Sequence, residues 1–121
     1  MPPRMYVSFG KLNVRSSSSP QMTGQTLYIM DRETNTKFLV DSGAEVSLFP
    51  ASYADRTSGR QGPPLIAANG SPIKSHGVRS FNLRLGNRRF TWQFVLADVQ
   101  TGILGADFLR GNALLLSLIH I

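Results

Sequence analysis

The sequence predicts an all-β domain that is built from many short strands and contains one short helix. Apolar and β-branched residues occur in short runs, and Gly, Pro, Asn and Asp repeatedly separate these runs. Only the segment GADFLRGN, at residues 105–112, has the character of a helix. No repeat of solenoid length is present. This pattern is typical of β-sandwiches and β-barrels.

The first half of the chain predicts a lead-in followed by a hairpin. Residues 1–25 include the stretch RSSSSPQMTG, so we expect an irregular lead-in there and the folded domain over 26–121. TLYIM and KFLV are predicted to be paired strands, and the polar segment DRETNT is predicted to be the turn between them. SGAE follows as a predicted tight turn, and VSLFP as a short strand that ends at Pro50.

The second half predicts a loop, a second hairpin and three longer strands. Residues 51–62 are polar and loop-like. In PLIAANGSPIK, the pair Asn69-Gly70 predicts a type I′ turn, because both central residues of that turn need positive φ. Three further segments predict strands, namely VRSFNLRL at 78–85, FTWQFVLADV at 90–99 and ALLLSLIHI at 113–121.

Composition limits the classes of function. The 121 residues suit one domain, and the absence of cysteine excludes disulfides, thiol nucleophiles and cysteine–zinc sites. No apolar run could span a membrane, and the first ten residues lack a signal-peptide core, so we expect no membrane partner and a cytoplasmic, intracellular location. The net charge of +6 is scattered along the chain. We therefore expect a solvated basic surface and only weak, non-specific contact with nucleic acid.

Asp41 is the most informative residue, because it directly follows KFLV, which we expect to be a buried strand. Burial of an unpaired carboxylate costs several kcal/mol or raises its pKa until it takes a proton. His76 and His120 have no metal-ligand spacing, and neither forms a recognisable Ser-His-Asp context, so no metal or cofactor is expected. Two interpretations remain. Asp41 is either an ordinary turn acid or a catalytic acid that shares one proton with a second carboxylate and activates a water molecule.

Three motifs together resemble the retroviral-type, or retropepsin-like, aspartic proteases. LVDSGAEVS is similar to the family's Asp-Ser/Thr-Gly-Ala signature, and GILGADFL is similar to its second, apolar-apolar-Gly hallmark. AANGSPIKSHG lies where the family places its flap. The motifs occur in the family's order, and the resemblance covers roughly residues 26–118. It is strongest to proteases of LTR retrotransposons of the Ty3/gypsy kind.

The resemblance implies a closed β-barrel of half the size of a two-lobed acid protease. The enzyme would be a homodimer, with Asp41 as the catalytic acid of each subunit and with Ser42 and Gly43 supporting the catalytic loop. Its substrate would be extended segments of the element's Gag-Pol polyprotein, and its location could include a virus-like particle. The implied substrate-binding residues are Ala44, Ala67, Ala68, Asn69, Gly70, Ile73, Ile103 and Leu104. Ile103 and Leu104 would also thread behind the catalytic turn.

Several alternatives stay open from the sequence. The domain could be a catalytically silent relative that serves in dimerisation or peptide binding. Asp107 is expected to be a helix-start acid and not a second catalytic acid. Trp92 is expected in the core, His76 on the surface at the flap base, and Glu45 either solvated, paired or tuning the acid pair. ALLLSLIHI would be an interface strand or core, and its apolar end departs from the longer, polar continuation usual in such proteases, which suggests truncation.

Overall fold

A computed structural model describes the backbone of residues 5–7 and the residues 27–112. Its strands are β1 Met5–Val7, β2 Leu27–Asp31, β3 Thr36–Val40, β4 Leu48–Pro50, β5 Leu65–Ala67, β6 Pro72–Ile73, β7 Ser75–Leu85, β8 Arg88–Ala97 and β9 Gly102–Leu104. Its helices are α1 Tyr53–Thr57 and α2 Ala106–Gly111. The strand predicted over 113–121 lies outside the described residues.

Six strands close into a barrel in the order β2-β3-β9-β4-β8-β7, which confirms the predicted fold class. The predicted hairpin at its start is also confirmed, since β2 and β3 pair antiparallel from Leu27↔Val40 to Asp31↔Thr36. Asn35 takes a positive φ of 59° in the connecting turn, a conformation that asparagine tolerates better than most residues. The carboxylate of Asp31 fastens this turn to β7, because it accepts the backbone N–H of Thr34 at 2.9 Å and that of Arg84 at 2.5 Å.

Strand β9 is inserted between β3 and β4. It runs parallel to β3, with Leu104 opposite Val40, and antiparallel to β4, with Ile103 opposite Leu48. Gly102 allows this close approach, because a Cβ at that position would lie 2.6 Å from the ring of Phe38. The chain after β3 and the chain after β9 are therefore brought together at one end of the barrel.

Two apolar clusters fill the interior. The first is centred on the aromatic rings of Phe38, Phe94 and Phe108, all fully buried, with Trp92 packed against its edge as the sequence predicts. The second joins Ala44 and Ile103 to other small and branched residues of the barrel. Burial of each large side chain contributes about 1.5–3 kcal/mol. Because Leu104 packs in the first cluster and Ile103 in the second, both clusters stabilise the position of β9 between β3 and β4.

A second, three-stranded sheet has the order β1-β5-β6. Strand β1 pairs parallel to β5, so the expectation of an irregular lead-in is wrong for residues 5–7. The β5–β6 hairpin is confirmed, but its type I′ turn is not. The N–H of Gly70 donates to the carbonyl of Ala67, and Gly70 alone among the loop residues has a positive φ, of 90°. This is the pattern of a three-residue loop closed by a glycine bulge.

The expectation of a single helix is also wrong, because α1 forms within the segment 51–62 that was predicted to be a loop. Ser52 and Asp55 build a reciprocal capping box at its start: the N–H of Asp55 donates to the Ser52 hydroxyl at 3.1 Å, and the N–H of Ser52 donates to the Asp55 carboxylate at 2.9 Å. A five-residue helix shows too little apolar periodicity to be predicted. Within the described part of the chain, no helix is long and apolar enough to cross a bilayer.

Candidate active site

Asp41 follows β3 directly and begins a tight turn. Its N–H donates to the carbonyl of Leu104 at 3.0 Å, and its own carbonyl accepts the N–H of Ala44 at 3.0 Å, which closes the turn. The side chain is only 4 % exposed, and its Oδ1 accepts the N–H of Gly43 at 3.0 Å. The strand end therefore holds a carboxylate in a sheltered place, with a backbone donor directed at one oxygen.

The segment after β9 supports this turn from behind. The N–H of Ala106 donates to the carbonyl of Ala44 at 2.7 Å. Gly105 passes so close that a Cβ there would lie 2.8 Å from the carbonyl oxygens of Ala44 and Val46. Only glycine fits this contact without moving backbone, which explains why the apolar-apolar-Gly motif ends in Gly105.

A chain of polar groups, buried at Ser47 and half-buried at Asp107 and Trp92, connects the turn region to α2. The N–H of Gly105 donates to Ser47 Oγ at 2.9 Å, and the Ser47 hydroxyl donates to Asp107 Oδ1 at 2.7 Å. The indole N–H of Trp92 donates to Asp107 Oδ2 at 3.1 Å. Asp107 lies in the first turn of α2, as predicted for a helix-start acid. No local sequence pattern points to Ser47, because its partner is 60 residues away.

The predicted loop and cleft residues differ widely in exposure. Ser42, Gly43 and Glu45 are exposed around the turn, whereas the side chain of Ala44 is fully buried. The side chains of Ile103 and Leu104 are also fully buried inside the protomer. We therefore revise the sequence-based role of these two residues: they back the Asp41 turn through β9, and their side chains lie away from any surface that a peptide can reach.

The β5–β6 hairpin shares a core with the Asp41 turn. Ile73 packs, half-buried, against the same cluster that contains Ala44. Ala67 is 7 % exposed, whereas the tip residues Ala68, Asn69 and Gly70 are exposed. The base of the hairpin is thus rooted beside the candidate site, and its tip is open to solvent.

His76 corrects a further expectation, because it is 3 % exposed and does not lie on the surface. Its Nε2 lies 2.8 Å from Oδ1 of Asp98, which follows β8. Next to it, the hydroxyl of Ser75 donates to the carbonyl of Pro63 at 2.6 Å, so the two legs of the hairpin are tied together. Position 77 is a glycine at φ +107°, within the register shift of β7. These contacts fix the base from which the hairpin projects.

Asp55, like Asp31, is another buried carboxylate with a structural role, and it serves α1. The backbone N–H of Ser52 is the main cause that lowers its pKa from 3.8 to about 2; burial opposes this shift, and the hydrogen bond from Arg79 adds to it. Arg79 Nη2 lies 2.5 Å from Asp55 Oδ1. The carboxylate therefore stays ionised and attaches the helix to β7. Among the described residues, no group of three His, Cys, Asp or Glu side chains could hold a metal ion.

Comparison with known proteins agrees with this geometry. Residues 26–108 match the model of an aspartyl protease family, and the chain belongs to that family. No curated protein matches the chain. Among solved structures, the EIAV protease complexed with the inhibitor HBY-793 is 21 % identical at a TM-score of 0.54, with 73 % of this chain and 86 % of that chain covered.

A second solved structure is similar to the same extent. The retroviral protease-like domain of Ddi1 from Leishmania major is also 21 % identical at a TM-score of 0.54, with 76 % of this chain and 82 % of that chain covered. At this identity, both structures show the fold, which is that of retropepsin-like proteases. The family match and the fold together define the chain as an aspartyl protease-type domain.

Proposed function

We propose that the protein is an aspartic endopeptidase that acts as a homodimer, with Asp41 of each protomer as a catalytic acid. The observation that carries the proposal is the position of Asp41: a 4 % exposed carboxylate at a strand end, held by the Gly43 N–H and backed by β9. A structural turn acid needs no such support, whereas a catalytic carboxylate must be held in a fixed orientation.

The number of acids requires the dimer. Acid-protease chemistry uses two carboxylates, and the chain contains one Asp-Ser-Gly sequence. In the proposed dimer, the two Asp41 side chains face each other across the two-fold axis, and Ser42, exposed beside each of them, bonds across it. Because two adjacent carboxylates do not ionise together easily, they share one proton.

This shared proton gives the mechanism. The ionised carboxylate takes a proton from a water molecule held between the two acids as the water oxygen attacks the carbonyl carbon, and the protonated carboxyl donates its proton to the carbonyl oxygen of the peptide. The tetrahedral intermediate breaks down when the newly protonated carboxyl donates to the amide nitrogen and the other carboxylate takes a proton back from a hydroxyl of the intermediate, which breaks the C–N bond and restores the starting state. No acyl-enzyme forms. Since one acid must be protonated, we expect the greatest activity at mildly acidic pH.

The substrate in this proposal is an extended peptide that lies beneath the β5–β6 hairpin. The exposed tip, Ala68–Gly70, would close over the peptide and pair with its backbone, as strands do in β-augmentation. Gly43 and Ile73 would contact its side chains at the margin. We further propose that the natural substrate is the Gag-Pol polyprotein of an LTR retroelement of the Ty3/gypsy kind, cleaved in the cytoplasm or in a virus-like particle.

The test uses the full chain and a library of mixed peptides between about pH 4 and about pH 7, where an acid pair with one proton works. We expect cleavage that pepstatin inhibits and that rises with the square of protomer concentration while monomers predominate. Asp41→Asn should abolish cleavage and leave the dimer mass unchanged. Glu33→Gln, which removes an exposed carboxylate from the β2–β3 turn at the opposite end of β3, is the control and should cleave as the parent does.

Two outcomes would count against the proposal. Cleavage by Asp41→Asn at the parent rate would remove Asp41 from the mechanism. A dimer that binds peptides without cleaving any of them would support the alternative, a catalytically silent domain that serves in dimerisation or peptide binding. Sedimentation or native mass measurement across a concentration series separates this alternative from a chain that stays monomeric.

A further inference from the structure

We propose that Ser47 and Asp107 are positioning residues for Asp41, an inference that rests on the proposed function. Neither residue lies on the Asp41 turn itself. They act through a single peptide group, the one that joins Leu104 to Gly105. This assigns a role to a buried serine and to an acid that otherwise only begins α2.

Both ends of that peptide group are hydrogen-bonded. Its carbonyl, from Leu104, accepts the N–H of Asp41 at 3.0 Å. Its N–H, from Gly105, donates to Ser47 Oγ at 2.9 Å. Because a peptide group is a rigid plane, any rotation that loosens one of these bonds also moves the other. The Ser47 hydroxyl therefore sets the direction of the carbonyl that holds the backbone of Asp41.

Asp107 fixes the direction of the Ser47 hydroxyl. Ser47 is fully buried, and its one hydroxyl proton is donated to Asp107 Oδ1 at 2.7 Å, which leaves its oxygen to accept from Gly105. The second oxygen of Asp107 accepts the indole N–H of Trp92 at 3.1 Å. Each donor in this chain has one acceptor, so the chain holds the Ser47 hydroxyl in one orientation.

In the dimer, this support is present twice, once for each Asp41. An error in either copy changes the separation of the two carboxylates that must share a proton. Displacements of about 1 Å at a reacting group reduce rates by about 10²-fold. Loss of the Ser47 hydroxyl should therefore lower kcat and leave peptide binding at the hairpin largely unchanged.

The experiment compares Ser47→Ala, Ser47→Thr and Asp107→Asn in the full chain, with Ser80→Ala, at an exposed serine of β7, as the control. For Ser47→Ala we expect kcat to fall by about 10- to 100-fold with KM within about twofold of the parent value. Ser47→Thr restores the hydroxyl and should recover most of the rate. Ser80→Ala removes a serine hydroxyl outside this chain and should keep the full rate.

Asp107→Asn tests the charge without changing the shape. The carboxylate of Asp107 accepts two hydrogen bonds, from Ser47 and from Trp92, one on each oxygen. An asparagine side chain has only one oxygen, so its NH₂ group would face one of these donors and that hydrogen bond would be lost. We expect a smaller fall in kcat than for Ser47→Ala. This variant decides the proposal if Ser47→Ala does not fold.

An amide hydrogen-exchange measurement separates positioning from loss of stability. In folded Ser47→Ala, exchange should accelerate at the amides of Gly105 and Asp41 but not at those of the distant β2–β3 hairpin. This readout does not need catalysis, so it holds even if the parent proves inactive and the proposed function fails. Unchanged exchange at Asp41, or an equal acceleration across the whole barrel, would overturn the positioning role. So would a parent-like kcat in both Ser47→Ala and Asp107→Asn.

Discussion

Protonation of Asp55 should weaken the fold at low pH by an amount that the structure specifies. The carboxylate is 4 % exposed, receives the Ser52 N–H at 2.9 Å and lies 2.5 Å from Arg79 Nη2. These contacts lower its pKa from 3.8 to about 2, chiefly through the Ser52 N–H. At ~1.4 kcal/mol per pH unit, this difference corresponds to about 2 kcal/mol of folding free energy.

The sign follows from the direction of the shift. A lowered pKa means that the folded chain binds the proton less readily than the unfolded chain. The contribution of Asp55 is therefore fully present above about pH 4 and is lost as the pH falls through about 2. The mildly acidic range in which we expect proteolysis lies above this window.

Urea denaturation of the parent and of Asp55→Asn checks this prediction. At about pH 6, the variant should have a lower free energy of unfolding by about 2 kcal/mol, and the gap should narrow as the pH falls towards about 2. A control variant, Glu45→Gln, removes an exposed carboxylate outside α1 and leaves the α1 cap intact, so its stability profile should lack this feature. A gap between parent and Asp55→Asn that stays constant over the whole pH range would refute the reasoning.

Three further predictions concern packing and charge. Gly105→Ala should lower the free energy of unfolding by about 1–3 kcal/mol, because its Cβ would lie 2.8 Å from two carbonyl oxygens; thermal denaturation would show it as a lower Tm. Phe38→Ala should cost about 3–5 kcal/mol in urea denaturation, since its ring is fully buried. Arg84 lies directly opposite Arg89, so Arg84→Gln should stabilise by about 0.2–1 kcal/mol at low salt, with no gain at about 1 M salt.

The sequence predicted those parts of the fold whose signals are local. Alternating apolar residues and polar turns indicated the barrel strands and the hairpin from Leu27 to Val40, and both are present. The apolar run that ends at Asp41 correctly indicated a buried acid at a strand end. These features can be predicted from residues that are close together in the sequence.

The features that the sequence missed depend on distant residues. Helix α1 starts with a Ser52–Asp55 capping box, but its five residues carry no apolar stripe. His76 has no local reason to be buried, and its partner Asp98 is 22 residues away. Ser47 could not be assigned a role, because Asp107 and Gly105 reach it only when β9 enters the barrel. One local prediction was also wrong, because Asn69-Gly70 was predicted to form a two-residue type I′ turn. Ala68 belongs to the loop as well, which makes it three residues long.

The insertion of β9 between β3 and β4 also determines when the candidate active site can form during synthesis. A ribosome delivers the chain from its N-terminus, so Asp41 emerges long before Leu104, the residue that anchors its backbone. Until β9 has been synthesised, Asp41 follows a strand, β3, whose neighbour in the sheet is missing. The newly made polypeptide therefore acquires the geometry proposed for catalysis only when nearly all of the barrel has been synthesised. A nascent fragment that ends before Gly102 carries the Asp-Ser-Gly sequence without the strand that supports it.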